Sequence, residues 1–271
     1  MGNLGKLRDQ TIADFSVQWT KYTTHVGYHG SAVWIQDVIG DLYSLSELKG
    51  KRVADIGSGT GRIVDIVLDH GASHVFAVEP SRGFDALKKR TSNRADRITY
   101  INEPGDALPP DSDVDICIAF AVLHHIPDPK PVVAAAYRAL RPGGQMLIWL
   151  YGQEGNASYL FWVEPLRRIT VRLPHWALVA VSQLLLWATD IYGLLCRIFP
   201  LPLRDYMRDS FQRFTRERRR LVIYDQLNPA YAKYYTREEA YRLLADAGFV
   251  DVKLNHHKNY SWTVIGTKPR P

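Results

Sequence analysis

The chain has 271 residues, 46% of them hydrophobic and 23% charged, with seven tryptophans. That composition excludes a disordered polypeptide, and the length suits one α/β domain carrying an insertion. The net charge of +6 is concentrated, because eight of the arginines and only three acids lie between Arg197 and Arg220. Two cysteines, Cys117 and Cys196, give no disulfide framework and point to a reducing, cytoplasmic compartment. The first six residues lack the apolar core of a signal peptide.

Residues 1–50 read as an N-terminal helical cap, with Phe15, Trp19 and Tyr22 at helical spacing and Asp14 as an N-cap for that stretch. Val33, Ile35, Val38, Ile39 and Leu42 repeat the helical pattern. Tyr22, His25, Tyr28 and His29 cluster in this cap, and Tyr22 and His29 are candidates for the chemistry. Strand and helix then alternate. Strands are predicted at 52–56, 74–79, 98–102, 113–119 and 145–151, and helices at 61–70, 82–91 and 128–140. Arg141-Pro142-Gly143-Gly144 supplies a helix stop and a turn before the fifth strand. Such alternation implies right-handed crossovers and a parallel sheet.

The rhythm breaks at 155–228. Trp176 to Thr189 carries no charge, and Asp190 ends the run short of the about 20 residues that span a bilayer. Three readings stand for this helix: a buried lid over the substrate, a dimer interface, or an interfacial helix dipping into a membrane. With the neighbouring arginines, residues 173–220 form a candidate surface for anionic groups, including a peripheral membrane contact. Thr236-Arg237-Glu238-Glu239 is a capping box opening a helix that ends at Gly248, and two strands follow at 250–257 and 261–267.

The run Val53-Ala54-Asp55-Ile56-Gly57-Ser58-Gly59-Thr60-Gly61-Arg62 carries the strongest signal. Glycines let a backbone turn sharply and approach a ligand, and the helix that follows offers free N–H groups. Glu79, at the end of the next apolar run, suits ribose hydroxyls. Asp55 lies where an ammonium or a water would want an acid, and Asp106 lies where an adenine amino group could donate.

This ordered series resembles the class I S-adenosylmethionine-dependent methyltransferases. Asp55 to Gly61 looks like their first motif, Glu79 like their ribose-binding acid and Asp106 like their adenine-side acid. Leu123-His124-His125-Ile126-Pro127-Asp128 and Leu140-Arg141-Pro142-Gly143-Gly144 look like their later motifs. The resemblance implies a cofactor site of Asp55, Gly57, Ser58, Gly59, Gly61, Glu79, Pro80, Asp106, Ala107, Phe120 and Leu123, with Trp19 from the cap. It also implies S-adenosylmethionine as cofactor, S-adenosylhomocysteine as product, and a Rossmann-like seven-stranded sheet with one antiparallel strand beside the fifth. The flanking segments around Trp19, Tyr151 and Tyr231 resemble bacterial enzymes that methylate sugars, lipid-linked glycans and natural products.

His124 and His125 follow the fourth strand, where a general base for a hydroxyl acceptor would stand, although the resemblance also allows them a cofactor-side role. Tyr151, Glu154 and Asn156 follow the fifth strand, and with Tyr231 and Tyr235 they are candidate substrate contacts. Neither His124/His125 nor His256/His257 has metal-ligand spacing, so no metal is expected. The expected organisation is a cap at 1–50, a cofactor core at 51–154, a helical lid at 155–228 and completion of the core at 229–271. The expected activity is methyl transfer, mainly to oxygen, on a small-molecule, sugar or lipid-linked acceptor; a homodimer is left open. An NAD-dependent oxidoreductase, a nucleic-acid methyltransferase and a non-catalytic S-adenosylmethionine-binding protein are the alternatives. The second lacks an Asn-Pro-Pro-Tyr-like motif after the fourth strand.

Overall fold

Arg52–Ile56 forms β1, an inner strand of a sheet, in a computed structural model that describes residues 3–21, 31–228 and 230–271. The other strands are β2 (His74–Val78), β3 (Ile98–Ile101), β4 (Val114–Phe120), β5 (Leu140–Tyr151), β6 (Val250–His257) and β7 (Ser261–Thr267). Their order is β3-β2-β1-β4-β5-β7-β6. The first five pair in parallel, and β7 runs antiparallel to both β5 and β6. This is the expected Rossmann-like sheet.

All seven residues of β4 are buried, because helices cover both faces of the sheet. Side chains alternate between two cores. Val53, Ile116, Ile118 and Leu147 meet Ile63, Val64 and Val67 of α3 (Arg62–Asp69) and Trp34, Val38 and Ile39 of α2 (Ala32–Ile39). Ala54, Cys117, Met146 and Ile148 meet Val132, Ala135 and Ala136 of α5 (Lys130–Ala139) and Leu244 of α10 (Arg237–Ala245). Helix α4 (Gly83–Arg90) contributes Leu87 to the first core. Thr263 Oγ1 on β7 donates to Val38 O at 2.7 Å, tying α2 to the sheet. The capping box opening α10 forms as the sequence predicts.

Three expectations change. Helix α1 spans Asn3–Lys21, so Asp14 sits inside it and not at its start. Its carboxylate accepts from Gln10 Nε2 at 2.9 Å and from Ala230 N at 2.9 Å, docking α1 onto the segment before α10. Strand β5 begins at Leu140, paired with Val114, and then resumes pairing at Gln145 with Ile116. The four residues between them bow out around Gly143, whose φ is +80°, and Arg141 forms an ion pair with Asp115. The turn read from these residues is thus an excursion inside one strand.

The third change lies in the helices between β5 and α10: α6 (Ala157–Thr170), α7 (His175–Ile198), α8 (Arg204–Asp209) and α9 (Arg216–Leu227). Helix α7 has 24 residues and is long and apolar enough to cross a membrane, where the sequence predicted too short a run. Asp190 does not end it, because Arg219 and Arg216 neutralise its carboxylate.

Trp149 Nε1 on β5 donates to Ser261 Oγ on β7 at 3.0 Å, with both groups buried. Ser261→Ala leaves that indole N–H unpaired. The variant should unfold with a free energy lower by about 1–3 kcal/mol, as read from urea denaturation.

Candidate cofactor and acceptor site

The turn after β1 is held by backbone bonds to the next strand. Gly57 N and Ser58 N both donate to Val78 O, at 2.8 and 3.0 Å, and Ser58 Oγ donates to Asp55 O at 2.9 Å. Gly57 has φ +75°, and a Cβ there would stand 2.4 Å from Val122 Cγ2. Only glycine satisfies both the backbone and that approach.

Glu79 is buried under this turn. Its Oε2 accepts from Gly59 N at 2.7 Å and its Oε1 from Ser81 N at 2.9 Å. Burial raises its pKa, and the hydrogen bonds from Ser81 and Gly59 oppose the rise. Each oxygen keeps acceptor capacity for a ligand hydroxyl. Asp55 is buried too. Burial pushes it up to about 7, against the pull of Ser58 and Arg62, and its Oδ2 has no hydrogen-bond partner. Burial also pulls Arg62 down to about 9.

A cavity of about 700 Å³ starts at this turn and continues past the carboxyl ends of β4 and β5 into the helices α6–α9. Gly57, Ser58, Gly59, Glu79, Pro80 and Asp106 line one end, beneath Trp19 of α1. Phe120, His125 and Tyr151 line the middle, while Val163, Leu185, Met207 and Phe214 line the far wall.

A protein-family model described as a methyltransferase domain matches residues 54–148. An uncharacterized methyltransferase of Mycobacteroides abscessus is 30% identical over 183 residues, which are 63% of this chain and 66% of that protein. A ubiquinone biosynthesis O-methyltransferase of Idiomarina loihiensis is 33% identical over 131 residues, 43% of this chain and 52% of its own. A tRNA U34 carboxymethyltransferase of Alteromonas mediterranea is 26% identical over 183 residues, 64% of this chain and 54% of its own. The chain therefore spans 52% to 66% of the length of these relatives. Among solved structures, the 1,6-didemethyltoxoflavin N1-methyltransferase of Burkholderia thailandensis, with bound 1,6-didemethyltoxoflavin and S-adenosylhomocysteine, superposes with a TM-score of 0.54 at 16% identity. The match covers 99% of this chain and 92% of that one. Residues 54–148 are a methyltransferase domain, and the fold around them is that of the class I S-adenosylmethionine-dependent methyltransferases.

In this domain the two histidines after β4 part ways. His125 lines the cavity, and its Nδ1 lies 3.0 Å from Tyr231 O. A carbonyl only accepts, so Nδ1 carries the proton and the neutral ring keeps its lone pair on Nε2. Burial lowers the pKa of His125, against the pull of Asp225 and Tyr231, which favours that neutral form. His124 is fully buried behind it, away from the cavity, with its ring stacked on Tyr151 at 3.8 Å. Burial holds its pKa well below the usual histidine value.

Tyr151 OH donates to Asp225 Oδ2 at 3.2 Å, and its ring stacks on Tyr234. Tyr159 OH and Tyr234 OH both donate to Gln226 Oε1, at 3.1 and 2.7 Å. Arg218 lines the same chamber, where burial pulls it down to about 10, so it stays charged at neutral pH. The sequence reading missed Tyr159, Arg218 and Gln226. No motif marks them, and Arg218 was counted with the surface arginines.

Other expected site residues stand elsewhere. Leu123 is a fully buried core residue. Gly61 caps α3 with φ +86°, next to Leu87, and Ala107 closes a 3₁₀ turn on Pro104 O. Glu154 accepts from Arg237 N at 2.7 Å and from Trp262 Nε1 at 3.2 Å, so it caps α10 and does not face the cavity. Tyr235 is buried in the second core. Tyr231 offers its backbone carbonyl to His125, and its ring is not part of the cavity wall. Asn156 touches the cavity while its Nδ2 donates to Gly152 O and Tyr260 O, at 2.7 and 2.8 Å. Tyr22, His25, Tyr28 and His29 lie outside the described residues. Among the described residues, no group of three His, Cys, Asp or Glu is placed to hold a metal.

Much of the arginine cluster is taken up internally. Arg204 donates to Cys196 O, Arg208 pairs with Asp209, and Arg216 and Arg219 share Asp190.

Gly57→Ala is expected to lower the melting temperature. Adding Val122→Ala should recover only the packing part of that loss, because the positive φ remains. Thermal unfolding of the single and double variants measures both parts.

Proposed function

We propose that this protein transfers a methyl group from S-adenosylmethionine to the hydroxyl oxygen of an apolar small-molecule or lipid-linked acceptor. The observation that carries this reading is the continuity of the cavity from the glycine turn into the apolar chamber between α6 and α9. The residues fit the cofactor. The unpartnered Oδ2 of Asp55 suits the ammonium of its amino-acid end, directly or through a water. Glu79 has acceptor capacity for both ribose hydroxyls, and Asp106 stands on the adenine side. When bound, S-adenosylmethionine supplies an electrophilic methyl on a sulfonium.

The chain's own residues then have three tasks. The apolar walls exclude water and set the acceptor in line. His125 Nε2 takes the proton of the acceptor hydroxyl while Nδ1–H stays on Tyr231 O. Tyr151, held by Asp225 and Tyr234, fixes the middle of the cavity and orients what lies against it. The relative named for ubiquinone biosynthesis acts as an O-methyltransferase, which supports an oxygen acceptor. The relative named for tRNA points the other way. The internal pairing of the arginines weighs against a nucleic-acid acceptor here.

Calorimetric titration with S-adenosylmethionine, S-adenosylhomocysteine and NAD tests the cofactor: binding of the first two without NAD is expected, and NAD alone overturns the reading. The pH dependence follows from Asp55. Its carboxyl holds a proton up to about 7 in the ligand-free fold. The stability it lends that form is therefore lost as pH rises through 7, while a bound ammonium favours the carboxylate. S-adenosylhomocysteine affinity should weaken by up to about tenfold per pH unit below that point, and Asp55→Asn should flatten the profile.

His125→Asn keeps an N–H for Tyr231 O, because the amide Nδ2 takes the place of Nδ1, and removes the base. Transfer of labelled methyl to hydroxylated amphiphiles should fall by about 10²–10⁴-fold, with S-adenosylhomocysteine affinity unchanged. An unchanged rate would show that His125 takes no proton.

A further inference from the structure

Helix α7 is apolar on two opposite sides. Leu178, Ser182, Leu186, Gly193 and Cys196 form its buried stripe. Trp176, Leu184, Trp187, Ile191, Leu194 and Ile198 form a second stripe that is open to solvent, with Trp176 and Ile198 at 74% and 72% exposure. These six recur three, four or eight residues apart, so they share one helix face. Phe161, Trp162 and Ile169 of α6 are exposed as well, the first two at 71% and 73%. A monomer rarely leaves so much apolar surface in water.

The charges around this surface choose among its occupants. Besides His175, the only charged side chains along α7 are Asp190, paired with Arg219, and Arg197 near the end. Arg168 and Arg172 are exposed just before the N-terminal end of α7 and Arg197 near its C-terminal end, against the single acid Glu164 of α6. Two copies related by a two-fold axis would pack their α7 helices antiparallel, with Arg172 of one beside Arg197 of the other, or parallel, with each arginine beside its own copy. Either like-charge arrangement disfavours a dimer. Anionic headgroups complement both ends at once, and tryptophans favour the bilayer interface.

Helix α7 cannot stand upright in a bilayer without losing its pins. His175 Nδ1 lies 2.9 Å from Tyr224 OH, Gln212 Nε2 donates to Thr189 O at 3.4 Å, and Arg204 Nε donates to Cys196 O at 3.0 Å. These bonds run from its first turn to its last. We propose that the exposed face of α6 and α7 docks on an anionic lipid bilayer, with α7 lying in the plane of the interface. The inner side of the same helix lines the cavity through Leu185, Thr189 and Tyr192. An acceptor dissolved in the bilayer would then meet the chamber across one helix. The docking itself does not depend on the proposed transfer reaction.

Flotation of the whole chain with vesicles tests it, using phosphatidylcholine alone and phosphatidylcholine mixed with phosphatidylglycerol. The expected result is flotation with the mixed vesicles only, reversed by high salt. The double variant Trp187→Glu, Ile191→Glu changes exposed side chains outside the cavity wall. It should bind the mixed vesicles at least about tenfold more weakly, with unchanged circular dichroism and unchanged S-adenosylhomocysteine affinity. Arg172→Glu with Arg197→Glu should lower the preference for anionic vesicles. Absence of flotation with mixed vesicles, or equal flotation with neutral ones, overturns the proposal. A concentration-dependent dimer that the Trp187, Ile191 variant dissolves, without vesicle binding, also overturns it and gives the surface to a second copy. If binding holds while the cofactor titrations fail, the docking stands and the transfer reading falls.

Discussion

The carboxylate of Glu79 is the constraint on which the site is built. It is buried, yet both of its oxygens take backbone N–H groups, from Gly59 on one side and Ser81 on the other. Its own N–H donates to Ile101 O, and its carbonyl accepts from Asn102 Nδ2. One residue thus fastens the ends of β1, β2 and β3. Desolvating a carboxylate is costly, and these charge-assisted bonds are what offset it. Asp55, close by and with an oxygen left over, is compensated less, by Ser58 and Arg62, and holds its proton nearer neutrality. The two acids therefore differ in kind: Glu79 holds the fold together and keeps one lone pair on each oxygen for hydroxyls, while Asp55 keeps a whole oxygen for a charged group.

The far half of the cavity is organised by a different force. Tyr151 at the end of β5 reaches Asp225 of α9, while Tyr159 of α6 and Tyr234 converge on Gln226. Arg167, itself buried, lies over the Tyr234 ring and points its guanidinium at Ala232 O and Tyr234 OH. Phenols bring both apolar area and one strong polar atom, so a few of them can glue inserted helices to a strand edge and still leave a chamber. The packing here is aromatic around a polar thread, in contrast to the aliphatic cores that flank the sheet.

What could be read from the sequence followed from how local its cause is. The strand ends at Ile56 and His257 and the capping box at Thr236 depend on neighbours within a few residues, and they stand where periodicity and turn chemistry put them. The glycine turn was legible for the same reason. Asp14 was misread because its real partner, Ala230, is 216 residues away, and nothing nearby announces that bond. Asp190 was read as the end of an apolar run for a similar reason: its neutralising partner Arg219 lies 29 residues on, in another helix. Glu154 looked like a substrate contact at a strand end, and only the arrival of Arg237 and Trp262 shows it to be a cap. The chamber residues Tyr159, Arg218 and Gln226 become a group only through the packing of α6 against α9.

The placement of β7 between β5 and β6 has a consequence for how the polypeptide matures. Trp149 and its partner Ser261 are separated by 112 residues. During synthesis the outer edge of β5 therefore waits, unpaired, while the whole apolar insertion emerges from the ribosome. An open strand edge beside newly made apolar helices is a template for wrong pairing. The nascent chain would consequently lean on chaperones until β7 arrives to close the sheet.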